Sequence, residues 1–250
     1  MPEGLSAALA LPGLWGLLLA VTVAGTVFGF AGFGAALIFL PVAVSLVAPE
    51  LAVAAFSVTA LSSLVTVVPR AFGQTDKRAL GQLLLAAMAG FPVGVWMLRS
   101  ADETVIQWAV SGLVLLTLAA LVAGWRMKTA PRTGARLGVG AATGVVGGAT
   151  GLTGPVVILF NLGAGAPAAV TRANTLVFLT LSSALLLPQL WLQGLLRPEA
   201  LWLGLVLVVP YALGNRIGQA LFDPGREGLY RRVAYAIIGA SALVGLPIWR

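Results

Sequence analysis

Between residues 29 and 41 the chain reads GFAGFGAALIFLP, and between 148 and 157 it reads GATGLTGPVV. Both stretches lie inside long apolar runs, and in both a new apolar segment begins directly after the last glycine. Glycine weakens a helix by about 1 kcal/mol relative to alanine, whereas proline is favourable just inside a helix start. Each stretch is therefore expected to break one helix and begin another, after Gly34 in the first copy and at Gly154-Pro155 in the second. Thr153 stands where an N-cap belongs. Gly32 and Gly151 are 119 residues apart. To within a residue, the same spacing relates Pro49 to Pro167, Pro69 to Pro188, Pro92 to Pro210, and Leu61-Ser62-Ser63 to Leu181-Ser182-Ser183. Residues that fix helix ends and bends recur in the same order. The chain thus reads as two copies of one architecture, a first transmembrane repeat over 1–128 and a second over 129–250, in one membrane domain.

The setting of these breaks is a bilayer. Of 250 residues, 59% are hydrophobic and only 9% are charged, against about 25% charged in a soluble domain. So short a chain has no core able to hide that much apolar surface, and the apolar excess equally excludes disorder. The expectation is an all-α, polytopic helical membrane protein. Ten apolar segments can be read, near 13–31, 34–48, 51–69, 79–98, 104–125, 135–150, 154–165, 168–190, 199–222 and 230–248. The short ones fall in pairs, 13–48 and 135–165, each a glycine-broken helical hairpin that either crosses fully or folds back at mid-membrane. The run from Leu14 has no basic flank before it, so no cleavable signal peptide is expected. Trp15, Trp96, Trp125, Trp191 and Trp202 lie near segment ends, where an interfacial belt explains them.

Loop charges orient the copies. Arg126, Lys128, Arg132 and Arg136 share one loop without an acid, which places 126–136 in the cytoplasm. Counting segments from there puts 70–78 and 223–232 inside as well, and both termini outside. Equivalent loops then fall on opposite faces, so the repeat is inverted, as in many secondary transporters. The rival reading, four parallel spans per half, puts Arg226, Arg231 and Arg232 outside.

Inversion has a chemical consequence. A helix that starts within the membrane points unpaired N–H groups and a positive dipole end at its surroundings. Two inverted copies aim two such ends at one place, a site for an anion made largely of backbone. Its candidate residues are Gly32, Gly34, Gly151, Thr153, Gly154 and Pro155. For any single glycine, close helix packing is the competing explanation. Side chains near the breaks extend the candidate set. Thr59, Ser62 or Ser63, and Thr66 form a polar stripe at helical spacing, and Asn174 and Ser182 flank Phe178 on another face. Hydroxyls in membrane helices often bond their own backbone. Asn161 and Asn174 are amides that need partners when buried. Arg172, at the start of segment 168–190, is the cationic candidate, with snorkelling to the interface as its alternative; for Arg216 snorkelling is the better account.

Four stretches together carry a resemblance: GFAGFGAALIFLP (29–41), GLTGPVV (151–157), Arg172-Ala-Asn-Thr175 and Leu213-Gly-Asn-Arg-Ile-Gly218. In their order, spacing and duplication they resemble the TauE/SafE family of sulfite exporters, over about Leu14 to Leu246. The resemblance implies an integral membrane protein that moves sulfite, sulfonates or related organosulfur anions. Ala35 and Ala36 stand where the family's first break often carries further glycines.

The absences bear on mechanism. The chain has no histidine and no cysteine, which removes disulfides, Cys/His metal sites, thiol nucleophiles and Ser-His dyads. All eight acids (Glu3, Glu50, Asp76, Asp102, Glu103, Glu199, Asp223 and Glu227) fall in loops or at segment ends. An intramembrane enzyme would have almost nothing to work with. The expected function is secondary transport of a small anion, exported down the membrane potential without a carboxylate proton relay. An anion channel, or a carrier of another organic anion coupled to sodium or protons, is the alternative. The sequence calls for no cofactor and no metal. Its expected partners are a small anionic substrate and the lipid bilayer, with no nucleic acid; a homodimer is left open. The expected location is a cell membrane of the bacterial inner-membrane type, with multiple passes.

Overall fold

The computed structural model describes residues 3–125, 132–163, 168–221 and 227–249, and these are almost entirely helical, with no strand among them. The helices are α1 (Glu3–Leu9), α2 (Leu14–Ala31), α3 (Ala35–Leu46), α4 (Pro49–Ala60), α5 (Ser63–Thr66), α6 (Val68–Phe72), α7 (Lys77–Ser100), α8 (Glu103–Val122), α9 (Thr133–Thr150), α10 (Gly154–Gly163), α11 (Ala168–Leu192), α12 (Pro198–Leu221) and α13 (Glu227–Val244). Over the described residues, every expected apolar segment falls on helix. Polar residues set the ends. The Asp76 carboxylate accepts from the N–H groups of Arg78 and Ala79 at 3.1 and 3.0 Å and so caps α7. Pro49 opens α4, and Glu50, Glu103 and Glu199 occupy first turns, where the helix dipole favours an acid. Of the basic loop 126–136, residues 126–131 lie outside the described residues; from Thr133 the chain is already α9.

Among the described residues, six stretches are long and apolar enough to cross a membrane: α2, Pro49–Thr66, α7, α8, α11 and α12. The protein is a polytopic helical membrane protein. Its outer faces carry the side chains a soluble protein would bury: Leu19, Leu85 and Leu116 are each more than two-thirds exposed. Trp15, Trp96, Trp125 and Trp191 are exposed as well, as a belt requires. At 12 residues α3 spans about 18 Å, well short of a bilayer core of about 30 Å.

Segment 51–69, expected as one helix, is three. α4 stops at Ala60, a turn at Leu61-Ser62 leads into α5, and Val67 (φ −124°) separates α5 from α6. The Ser62 and Thr66 hydroxyls donate to the carbonyls of Thr59 and Ser62, at 2.8 and 3.0 Å. Such back-bonding bends helices, and Pro69 supplies no N–H to continue the ladder. The matching segment α11 runs unbroken through Pro188. A further helix, α1, was not expected; its Gly4 lies against Pro198 and Trp202 at the start of α12.

Each half lends a long helix to the other. α12 lies along α2, and α7 lies along α9, in both cases parallel and backbone against backbone. A Cβ placed on Gly148 would come within 2.8 Å of the Phe91 carbonyl oxygen, 2.9 Å of Gly94 Cα and 2.9 Å of the Val95 nitrogen. On the other pair, a Cβ on Gly29 would meet the same three kinds of atom, from Asn215, Gly218 and Gln219. Gly25 and Gly144 repeat the pattern one turn earlier, against Tyr211 and Ala87. Glycines four residues apart admit this approach. These contacts match α12 to α7 with Asn215 over Phe91 and Gln219 over Val95, which sets Pro210 and Pro92 out of register. The Pro92–Pro210 equivalence is thereby corrected: proline bends a membrane helix locally, whereas backbone contact fixes its register.

Candidate functional site

The two expected breaks are present and alike. Gly32 (φ 77°) ends α2 in the left-handed region, its N–H donating to the Phe28 carbonyl at 2.8 Å. Gly151 (φ 73°) ends α9 in the same way, donating to Gly147 at 2.7 Å. Gly34 (φ 98°) then precedes α3. Residues with a Cβ rarely adopt these angles, so at all three positions the backbone itself asks for glycine.

A void of about 30 Å³ lies where the new helices start. Gly34, Ala35 and Ala36 from the first turn of α3 border it, as do Thr153 and Gly154 at the start of α10. α4, α5, α11 and α12 close it with Phe56, Ser63, Thr180, Ser183 and Tyr211. The Ser63 hydroxyl faces the Tyr211 hydroxyl at 3.5 Å. The Thr180 and Ser183 hydroxyls donate to the carbonyls of Leu176 and Leu179, both at 3.0 Å, which leaves their oxygen lone pairs facing other groups. Chemically this is a small, mostly apolar pocket bordered by a few hydroxyls and by two helix beginnings. A volume of 30 Å³ admits about two waters. Anions of a few heavy atoms are at the limit of fit, and larger ones need the void to widen.

Of the residues expected at the site, Gly34, Thr153 and Gly154 border the void. Gly32, Gly151 and Pro155 shape the breaks beside it. Thr153 does not cap α10 through its side chain; it is the Thr150 hydroxyl that receives a local N–H, from Leu152 at 3.2 Å. Thr59 is buried between helices, donating to Ala55 and to Gly204 of α12. Ser62 bonds back to Thr59, so Ser63 is the member of that pair at the void. Asn161 donates to the Thr175 hydroxyl at 3.0 Å, tying α10 to α11. The Asn174 carbonyl oxygen accepts from the Asp76 N–H at 2.8 Å, at the start of α7. Both amides thus hold elements together away from the void.

Arg172 has a structural role. Its Nη2 donates to the Gly29 carbonyl at 3.1 Å, and its side chain covers Gly32. A cation at the last carbonyls of α2 opposes the negative dipole end. Over Gly151, the matching position is filled by Val53, 119 residues before Arg172. Replacing Arg172 with methionine is expected to remove about 1–2 kcal/mol of stability, seen as a lower unfolding temperature in detergent. Lysine should restore part of it, having the charge without the guanidinium fork. Unchanged stability with weakened anion binding would place Arg172 on the substrate route instead.

Residues 17–244 match the family model of the sulfite exporter TauE/SafE. The chain belongs to the TauE/SafE family. It is accordingly a multi-pass membrane transporter, and the match takes in both glycine breaks and both exchanged helix pairs while leaving α1 outside. No curated protein and no solved structure shows a significant match.

Within this TauE/SafE chain, Tyr211 and Asn215 are polar residues of interest that were not among the expected site residues; Asn215 entered only as part of the 213–218 stretch. They lie four apart on α12, followed by Gln219, so helical spacing already marks one polar face in a segment otherwise rich in Leu and Val.

Proposed function

We propose that the protein is a secondary transporter, not an enzyme, and that it exports a small anion, sulfite or a related organosulfur anion, across a cell membrane. The observation that carries this is that the first turns of α3 and α10, the two helices that restart after glycine breaks, border one void together with the Ser63 and Tyr211 hydroxyls. Helix N-termini supply N–H donors and a positive field without a charged side chain, and hydroxyls supply further donors. Such a site suits an oxyanion that must also leave again. The TauE/SafE family match favours sulfur oxyanions within that class. In this reading the two halves, 1–128 and 129–250, are inverted copies with the loops 70–78, 126–136 and 223–232 on the cytoplasmic side. The reciprocal exchange of α7 and α12 supports that relation.

Binding is tested most directly by unfolding temperature. Sulfite and methanesulfonate are expected to stabilise the purified protein in a saturable manner, and acetate much less. Ala36→Val puts two methyl groups into the border of the void. It should abolish anion-dependent stabilisation while leaving unfolding without ligand within about 1 kcal/mol, since Ala36 is only half-buried. Full stabilisation by anions in Ala36→Val would move the site away from the void. The orientation is tested with single cysteines in this cysteine-free chain: residues 130 and 228 should label from the same side.

A further inference from the structure

A second opening lies one turn beyond the void. Val65, Thr66, Arg70, Arg216 and Gln219 line a cleft of about 360 Å³ between α5–α6 and the end of α12. Neither Arg70 nor Arg216 has a carboxylate partner among the described residues, where the one ion pair is Arg136–Asp76. Two arginines lining one polar cleft make a place for an anion, and among the described residues no acid lines it.

What lies between the cleft and the void strengthens this. Asn215 is 1% exposed. Its carbonyl oxygen accepts from Gln219 Nε2 at 3.0 Å, but its Nδ2 has no hydrogen-bond partner. A buried amide left with unused N–H groups is costly, by about 1–3 kcal/mol. It stands on α12 between Tyr211 at the void and Gln219 at the cleft. The corresponding places on α7, set by the glycine contacts, are Ala87, Phe91 and Val95, all fully buried. The polar ladder therefore exists on one side of the void alone, the side on which α4 to α6 break and Arg172 replaces the equivalent Val53.

We propose that the Arg70–Arg216 cleft is a separate binding site for a small oxyanion, a vestibule that collects the anion and hands it to the void past Gln219, Asn215 and Tyr211. This deepens the proposed function and rests on it for the identity of the void as the transport site. The same guanidinium chemistry suits the phosphate of a lipid headgroup, and the test separates the two sources.

The chain contains no cysteine, so Thr66→Cys places a single thiol in the cleft. Its modification is followed with an anionic and a cationic methanethiosulfonate reagent, in nanodiscs of zwitterionic lipid. The anionic reagent is expected to react faster relative to the cationic one, by about 10-fold more than in the same protein carrying Arg70→Gln and Arg216→Gln. Both arginines are exposed, so these changes do not threaten folding. Methanesulfonate at millimolar concentration should slow the anionic reagent several-fold in the arginine protein and not in the double variant. Equal reagent ratios in the two proteins overturn the proposal. So does slowing that appears on adding anionic lipid and never with methanesulfonate, which assigns the cleft to a headgroup. None of these readings needs transport. Should the protein prove not to move anions at all, the proposed function fails on its own measurement, and the cleft is still judged by protection. In transport, Arg70→Gln/Arg216→Gln is expected to raise the apparent KM about 5- to 10-fold from the side of the cleft only, with the maximal rate within 2-fold.

Discussion

An inside-negative potential of about 100 mV across sealed vesicles should drive a monovalent sulfonate outward to a concentration ratio of about 40 to 50. That figure is the about 2.3 kcal/mol carried by one charge in such a field. A pH gradient of equal energy, with the potential clamped at zero, should produce no accumulation. The reason is where the acids are. Glu3, Glu50, Glu103, Glu199 and Glu227 stand in the first turns of their helices, and Asp76 and Asp102 precede helices; Asp223 lies outside the described residues. Among the described residues the carboxylates of the membrane-spanning stretches, Glu50, Glu103 and Glu199, all stand in first turns and none lies deeper, and the chain has no histidine. A proton relay through the middle of the membrane is therefore not expected, and the substrate's own charge is expected to carry the current. A sulfonate is the probe of choice because sulfite changes its charge near neutral pH and would respond to a gradient by itself. Sulfonate accumulation driven by protons alone would show that another proton carrier exists.

Gly148→Val is expected to be severely damaging. Its side chain would collide with the backbone of α7 at Phe91, Gly94 and Val95. Backbone has no rotamer with which to yield, so α7 and α9 would have to part along their shared length. A loss of about 3 kcal/mol follows, at the upper end of overpacking costs, and little monodisperse protein should survive size-exclusion in mild detergent. Gly138→Ala, on the same helix with nothing within 4 Å, is the control. It should be neutral or stabilising by up to about 1 kcal/mol, as expected of alanine for glycine in an open helix position. Wild-type yield and unfolding temperature in Gly148→Val would mean that α7 and α9 are not in contact.

The helices and breaks were legible because their causes are local. Apolar runs fix the spans, and Gly32 and Gly151 mark the breaks whatever surrounds them. Side-chain partners were not legible, because they depend on which helices meet. Asn161 and Asn174 were expected to line a route, yet each holds a neighbour that only the fold brings near: Thr175 in one case, the Asp76 N–H in the other. Gly25, Gly29, Gly144 and Gly148 lie in close helix contact, a use that spacing alone did not reveal. The proline offset misled at Pro92 and Pro210, since a kink tolerates a shift of register that touching backbones do not. Tyr211, Asn215 and Gln219 had a readable period, but nothing in one sequence shows which face of a membrane helix looks inward.

The two glycine-lined contacts also say what the molecule cannot do. Where side chains interdigitate, helices slide by changing rotamers; where main chain rests on main chain, any slip brings a neighbour's Cβ, such as that of Val145 or Ala149, into the space glycine left. α2 with α12 and α7 with α9 therefore behave as two solid beams, each made of one helix from either half. Bending is expected at the joints outside the beams, the left-handed glycines at 32, 34 and 151 and the twice-interrupted run from Ala60 to Val68, and within the beams only where Pro92 and Pro210 interrupt α7 and α12.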